Sequence, residues 1–161
     1  MKKVILYFLV VPCVMLILSL TCTKDEGADC HKRFSTKNAS ETPIYVIDDI
    51  NVRLGPTYPS EFALKHLADP TTRIHYMLTP GESTNKIVVL EGPCFEHKIY
   101  GGYSGADLIM FFLDAKKFDS LGTAHIQESC LGSLTFKTFE EMEQANFRVI
   151  YPDDAELYSQ P

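Results

Sequence analysis

Two apolar runs dominate the hydrophobic pattern of the chain. Residues 108–113 are apolar at every position, and residues 4–20 are apolar apart from Pro12, Cys13 and Ser19. Six residues is the length of a strand rather than a helix, and a strand without polar alternation is covered on both faces. We therefore expect residues 108–113 to form the central strand of a sheet.

Shorter segments rich in β-branched and aromatic residues predict further strands. Residues 33–37 and 44–47 flank the turn-forming stretch 38–43, and this arrangement predicts a hairpin. The other predicted strands are residues 73–78, residues 86–90, the weaker segment 95–100 before the glycine-rich turn 101–105, and residues 147–151, which Pro152 ends.

Capping residues indicate short helices. Ser60 can cap a helix that reaches residue 68, and Asp114 can cap one that reaches residue 121. Thr138-x-x-Glu141 is a capping box that opens another helix. Together these elements predict a mainly β fold, most simply an antiparallel β-sandwich-like domain with two or three short helices, and α+β is the alternative.

The apolar run at residues 4–20 has the features of an export signal. Lys2 and Lys3 precede it and polar residues follow it. As a helix, its 17 residues would span about 25 Å, less than the ~30 Å hydrocarbon core of a bilayer. We expect residues 1–21 to be a signal peptide, with an uncleaved membrane anchor as the alternative.

The residues after this run resemble the start of a bacterial lipoprotein. Ser19-Leu20-Thr21-Cys22 resembles a lipobox, although Thr21 stands where Gly, Ala or Ser is usual. Lys24-Asp25-Glu26 resembles the signal that exports lipoproteins of Bacteroidota to the outer face of the outer membrane. The resemblance implies acylation of Cys22 with two or three chains, which suits the need for more than one chain in stable anchoring. A solvated tether with chance charges is the alternative.

This interpretation divides the chain into three parts. Residues 1–21 are the predicted signal peptide, residues 22–30 a flexible tether, and residues 31–161 a single β-rich domain. Residues 1–21 hold two of the 15 basic side chains and none of the 21 acidic ones, so the rest carries a formal charge of −8. That charge opposes a phosphate backbone, and we expect no nucleic-acid partner.

The mature region resembles a group of small Bacteroidota lipoproteins of unknown function. The residues that carry the resemblance are Phe34-x-x-Lys37-Asn38-x-Ser40, Ile44-Tyr45-Val46, Gly92-Pro93-Cys94-Phe95-Glu96, residues 107–115 and residues 134–152. The resemblance implies a fold and a cell-envelope address, and it carries no catalytic residue.

Three cysteines remain besides Cys22 and Cys13, and export makes a disulfide a reasonable expectation. Cys94, Cys130 and Cys30 allow three pairings. We favour Cys94–Cys130, whose closed loop of roughly 36 residues would stabilise the domain by about 3–4 kcal/mol. Cys30 can compete for either partner.

Motifs for catalysis or metal binding are weak. Gly102-Tyr103-Ser104-Gly105-Ala106 departs from a nucleophile elbow at Ala106 and precedes a predicted strand, so a glycine turn is the better interpretation. The histidines lack metal-ligand spacing, and the acidic pairs 48–49 and 153–154 lack an EF-hand pattern. We expect no catalytic residue, metal or cofactor. Asp119-Ser120-Leu121 resembles a Bacteroidota O-glycosylation acceptor, which makes Ser120 a candidate for modification.

Three function hypotheses follow. The first is a non-catalytic surface lipoprotein that binds a carbohydrate, a peptide or a protein, with tyrosines in loops as possible contacts. The second is an assembly component or an inhibitor in an envelope complex, and it predicts an exposed apolar patch. The third, a small envelope enzyme, needs a deep pocket that gathers His75, His97 or His125 with an acid and Ser104.

Overall fold

A computed structural model of the chain describes residues 31–52, 59–87, 94 and 106–158. These residues belong to the compact unit His31–Pro161. The predicted signal peptide, tether, strand 95–100 and glycine turn 101–105 lie outside the described residues.

Strands and short helices alternate along the described ranges. The strands are β1 (Ser35–Asn38), β2 (Ile44–Val52), β3 (Met77–Leu78), β4 (Ser83–Thr84), β5 (Ala106–Asp114), β6 (Cys130–Phe136), β7 (Arg148–Tyr151) and β8 (Glu156–Leu157). The α-helices are α1 (Glu61–Ala68), α2 (Pro70–Arg73), α3 (Ala115–Leu121), α4 (Ile126–Ser129) and α5 (Phe139–Gln144), with 3₁₀ turns at Ile74–Tyr76 and Thr123–His125.

The strands of the described part form two sheets. The larger has the order β3-β2-β5-β6-β8 and antiparallel neighbours throughout. The smaller has the order β4-β1-β7, in which β1 pairs antiparallel with β4 and parallel with β7. Strand β5 lies at the centre of the larger sheet and pairs with β2 from Ile44↔Asp114 to Val52↔Ala106. The central strand and the β-rich class with short helices are both confirmed, and the helices give the fold an α+β character.

The larger sheet is covered on both faces, because alternate residues of β5 enter different cores. Leu108, Met110 and Phe112 pack with side chains of the smaller sheet and α5, and we call this cluster the sheet-side core. Ile109, Phe111 and Leu113 pack with side chains of α1 and α3, and we call that cluster the helix-side core. The two-residue period of a strand thus accounts for a run that is apolar at every position.

The predicted capping residues begin the helices. The side chains of Ser60 and Asp114 accept from the N–H groups of Ala63 and Lys117 at 3.2 and 3.0 Å. Thr138 Oγ1 accepts from Glu141 N–H at 3.2 Å, and Glu141 Oε2 accepts in return from Lys137 N–H at 2.7 Å. The capping box is therefore present, with its second bond shifted by one residue from the usual partner.

The predicted hairpin of residues 33–37 and 44–47 is wrong, because β1 and β2 belong to different sheets. Asn38 is fully buried at the crossing between them. Its Nδ2 donates to Thr42 O at 2.8 Å and to Leu78 O at 3.0 Å, while its Oδ1 accepts from Ser40 N–H at 3.0 Å. These bonds turn the chain out of the smaller sheet and into the larger one.

The predicted strand at residues 73–78 is also wrong, because α2 and a 3₁₀ turn occupy it up to Tyr76. Asp69 Oδ1 accepts from Thr71 N–H at 2.9 Å, and Pro70 stands at the first helical position, so a local cap overrides the β-like composition. Only Met77 and Leu78 form a strand there. Residues 86 and 87 follow β4 without strand structure, and residues 88–90 lie outside the described part.

Candidate functional site

A cleft of about 860 Å³ lies beside the turn that joins β3 to β4, where an edge of each sheet ends. We call it the β3–β4 cleft. Its volume falls within the range of small-molecule sites. It is lined by Ser35, Ile74, His75, Met77, Leu78 and residues 82–86.

Polar side chains in this cleft are available to a ligand. His75, Ser83, Asn85 and Lys86 are exposed, and their side chains make no hydrogen bond or ion pair within the part of the chain that the structure describes. The carboxylate of Glu82 differs, because its Oε2 accepts from the N–H and the Oγ1 of Thr79, each at 2.9 Å. The cleft therefore presents several side chains that can donate hydrogen bonds, one of them an ammonium group.

The backbone of β3 offers little to an added strand. Met77 N–H already donates to Ile74 O, and Leu78 O already accepts from Asn38 Nδ2. A peptide that extends a sheet uses such groups for its affinity. A ligand in the β3–β4 cleft is therefore expected to contact side chains rather than a strand edge.

An ion pair on the helix face links α2 to α3. Arg73 Nη1 lies 3.2 Å from Asp119 Oδ1, and Tyr45 Oη donates to the same oxygen at 3.0 Å. The Arg73 guanidinium also lies 5.9 Å from the Tyr45 ring centroid and 5.6 Å from that of Phe118. Burial, followed by the bond to Asp119, raises the pKa of Tyr45. We interpret this cluster as a structural link, since each group already has its partner.

The predicted Cys94–Cys130 disulfide is wrong. Cys130 is a thiol that lies in the helix-side core, while Cys94 is disulfide-bonded. The loop-length argument for that pairing does not show which cysteines lie next to each other in the fold. Cys30, the third candidate, lies outside the described residues. Of the three candidate pairings, Cys30–Cys94 alone is compatible with a free Cys130 and a bonded Cys94, and we now predict it.

Burial also raises the pKa of the Cys130 thiol to about 12. A thiol with that pKa holds almost no thiolate near neutral pH, and the thiolate is the nucleophile of cysteine chemistry. Cys130 is therefore an inert core residue rather than a catalytic group.

Of the two predicted modification sites, Ser120 and Cys22, the structure describes only Ser120. Ser120 lies on α3, is exposed, and its Oγ donates to Lys117 O at 2.9 Å. Its neighbour Asp119 is held by Arg73 and Tyr45, and O-glycosylation of Ser120 remains a prediction. The lipidation site Cys22 and the export residues 24–26 lie outside the described residues.

Among the described residues, the histidines and acids do not gather into one site, and His125 with Glu128 forms an isolated pair. His31 stacks on Phe147 with ring centroids 3.9 Å apart, and His125 Nδ1 lies 2.9 Å from Glu128 Oε1. Asp49 accepts from Ser60 N–H at 3.0 Å. Within the described ranges, no three His, Cys, Asp or Glu side chains form a group that could hold a metal ion. His97 and Ser104 lie outside those ranges.

The described tyrosines lie at the edges of the cores rather than on an exposed platform. Tyr45 is buried against Phe118, and Tyr151 stacks on Phe112 with centroids 4.9 Å apart. Tyr158 Oη donates to Ser133 Oγ at 2.7 Å. The structure therefore supports the alternative that tyrosines on this scaffold serve packing, and Tyr58, Tyr100 and Tyr103 lie outside the described residues.

Sequence reasoning missed the β3–β4 cleft. Ser83, Thr84, Asn85 and Lys86 resemble any polar turn, and nothing local shows that Ser35 and the residues after α2 lie beside them. The density of polar residues after residue 78 is the one signal that the sequence contains.

Comparison with protein-family models, curated proteins and solved structures finds no match to this chain. In the described part, no helix has the length and apolarity to cross a membrane. The resemblance to Bacteroidota lipoproteins thus stays a prediction from the sequence.

Proposed function

We propose that the protein is a lipid-anchored lipoprotein of the outer membrane, facing the cell exterior, whose domain binds a ligand without catalysing a reaction. The membrane attachment is the lipid on Cys22, and Lys24-Asp25-Glu26 directs export. Both assignments rest on the sequence, and the folded unit from His31 onward would project from the tether.

The β3–β4 cleft is the observation that carries the binding proposal. Its exposed donors at His75, Ser83, Asn85 and Lys86 are not used by the described part of the fold. A complementary ligand is rich in acceptors, as the hydroxyl and carbonyl oxygens of a carbohydrate or a peptide are. Ile74, 60% exposed at the same cleft, adds an apolar contact.

Protease treatment of intact cells tests the location. A C-terminally tagged full chain should be digested on intact cells, whereas Cys22→Ala and a triple alanine variant of residues 24–26 should be protected. Protection of all three proteins until the outer membrane is broken would contradict surface display. Lys32→Ala serves as a control for the loss of one charge outside the predicted signal.

Ligand screening tests the cleft. The full chain would be probed with a panel of defined oligosaccharides and peptides, followed by His75→Ala and Lys86→Ala. Each variant should weaken a binding event about tenfold, as expected when a hydrogen bond to a charged or polar ligand group is lost. Lys116→Ala, an exposed lysine on α3 outside the cleft, should bind like the wild type. Equal losses from all three variants would exclude this cleft as the site.

The second candidate is a component or inhibitor of an envelope protein complex. The exposed apolar side chains of Ile74 and Leu157, 60% and 57% accessible, favour it because a partner protein could cover them. Leu157→Glu, which lies outside the cleft, should then abolish co-purification of one specific protein and leave binding of small sugars unchanged.

A further inference from the structure

Strand β7 is the longest edge strand in the described part of the chain, and therefore the one that most needs protection. It is the four-residue edge of the smaller sheet, whereas the edges β3, β4 and β8 have two residues each. An exposed edge offers N–H and C=O groups to another chain, and the hazard grows with the length of the strand.

The hydrogen bonds to β1 show which groups of β7 face outward. Phe147 O accepts from Ser35 N–H at 2.8 Å, and Tyr151 O accepts from Ala39 N–H at 2.7 Å. In a parallel pair, alternate residues of a strand bond to the same neighbour. The backbone groups of Arg148 and Ile150 therefore point away from β1.

The chain itself occupies three of the four outward N–H and C=O groups of Arg148 and Ile150. Ile150 N–H donates to Asp154 Oδ2 at 2.6 Å, and Asp154 N–H donates to Ile150 O at 2.9 Å. At the other end of the strand, Arg148 N–H donates to Ala145 O at 3.0 Å. The Asp154 residue thus supplies both the acceptor and the donor that a neighbouring strand would supply.

We propose that Asp154 prevents another strand from pairing with the β7 edge. The strand that it excludes is β7 of a second copy of this chain. Residues 147–151, Phe-Arg-Val-Ile-Tyr, have the β propensity and low charge typical of segments that pair with themselves. Two copies of an edge strand can pair antiparallel about a two-fold axis, because the same groups then face each other. The Asp154 carboxylate also places a negative charge beside Ile150 on the edge that the second copy would approach.

The test compares Asp154→Ala with Asp153→Ala in the purified full chain in detergent micelles. Asp153 is the exposed neighbour, and its removal changes the charge equally without removing a hydrogen bond of the described part. The readouts are hydrogen exchange of the Ile150 amide and light scattering after size exclusion at several protein concentrations. Asp154→Ala should exchange at least about tenfold faster and form a concentration-dependent dimer. Asp153→Ala should match the wild type in both readouts.

Two further variants keep the proposal testable. Asp154→Ala with Ile150→Lys places a charge on the same edge and should return the protein to a monomer. If Asp154→Ala does not fold, Asp154→Asn replaces it, because the amide oxygen can still accept while the charge is lost, and exchange should rise by about threefold. A monomeric Asp154→Ala, a dimeric Asp153→Ala, or a dimer that Ile150→Lys does not weaken would each overturn the proposal.

Discussion

The buried thiol of Cys130 should make the protein sensitive to alkaline pH. Burial raises its pKa from 9.0 to about 12 in the folded state. Above pH 9 the thiol ionises in the unfolded chain but stays protonated in the fold, so the unfolded state is favoured increasingly. Below pH 9 this group does not lower the free energy of unfolding. As the pH rises from 9 toward 12, the free energy of unfolding falls.

The expected size follows from the same pKa values. Each pH unit between the unfolded-state pKa and the folded-state pKa lowers the free energy of unfolding by about 1.4 kcal/mol. At pH 11 the wild type has therefore lost about 2.7 kcal/mol of stability through this group. Cys130→Ala removes the ionisable group and leaves a small cavity that costs about 1 kcal/mol at neutral pH. The variant should therefore be less stable than the wild type at pH 8 and more stable at pH 11.

Urea unfolding of both full-length proteins, at pH 8, 9, 10 and 11, measures this difference. Short incubations are needed because alkaline pH promotes thiol–disulfide exchange with the Cys94 disulfide, and mass spectrometry checks that this bond is intact. Tyr45 and Tyr151, whose pKa values burial also raises, are present in both proteins and largely cancel in the comparison. A difference between the two proteins that stays constant from pH 8 to pH 11 would refute the reasoning.

Further predictions concern the core, a close contact and the disulfide. Phe111→Leu and Phe112→Leu should each lower the free energy of unfolding by about 1–2 kcal/mol, because the two rings lie in different cores and both are fully buried; a neutral result for either would contradict coverage of both sheet faces. Gly132→Ala should cost about 1–3 kcal/mol and raise hydrogen exchange in β8, because a Cβ there would overlap the backbone of that strand; unchanged exchange would contradict the contact. Peptide mapping without reduction should join Cys30 to Cys94, and a linkage of Cys94 to any other cysteine would contradict that pairing.

The parts of the fold that were predictable are those decided by local chemistry. Helices α1 and α3 begin where Ser60 and Asp114 can cap them, and a cap needs only residues three positions away. Strand β5 was recognisable because covering both faces leaves a continuous apolar run. In each case the cause lies within the segment itself.

The errors arose where distant residues decide the structure. The β1 segment has the composition of a hairpin arm, but its hydrogen-bond partners are β4 and β7, which lie far along the chain. The crossing to the larger sheet depends on Asn38, whose partner Leu78 O is 40 residues away. No pattern within residues 33–47 carries that information. The Cys94–Cys130 prediction failed for a similar reason, because loop length does not show which cysteines are adjacent in the fold.

The layered arrangement explains why we propose a ligand site at the edges of the sheets. Both faces of the larger sheet are covered, one by the smaller sheet and the other by helices, so neither offers room to a ligand. Contact with other molecules is then left to the edges. At one end, β3 and β4 meet beside a cleft whose polar side chains remain available. At the opposite edge of the smaller sheet, the turn between β7 and β8 carries Asp154, which occupies the longest edge strand of the described part. The fold thus keeps one edge region accessible and closes the other, and a ligand search should begin at the β3–β4 cleft.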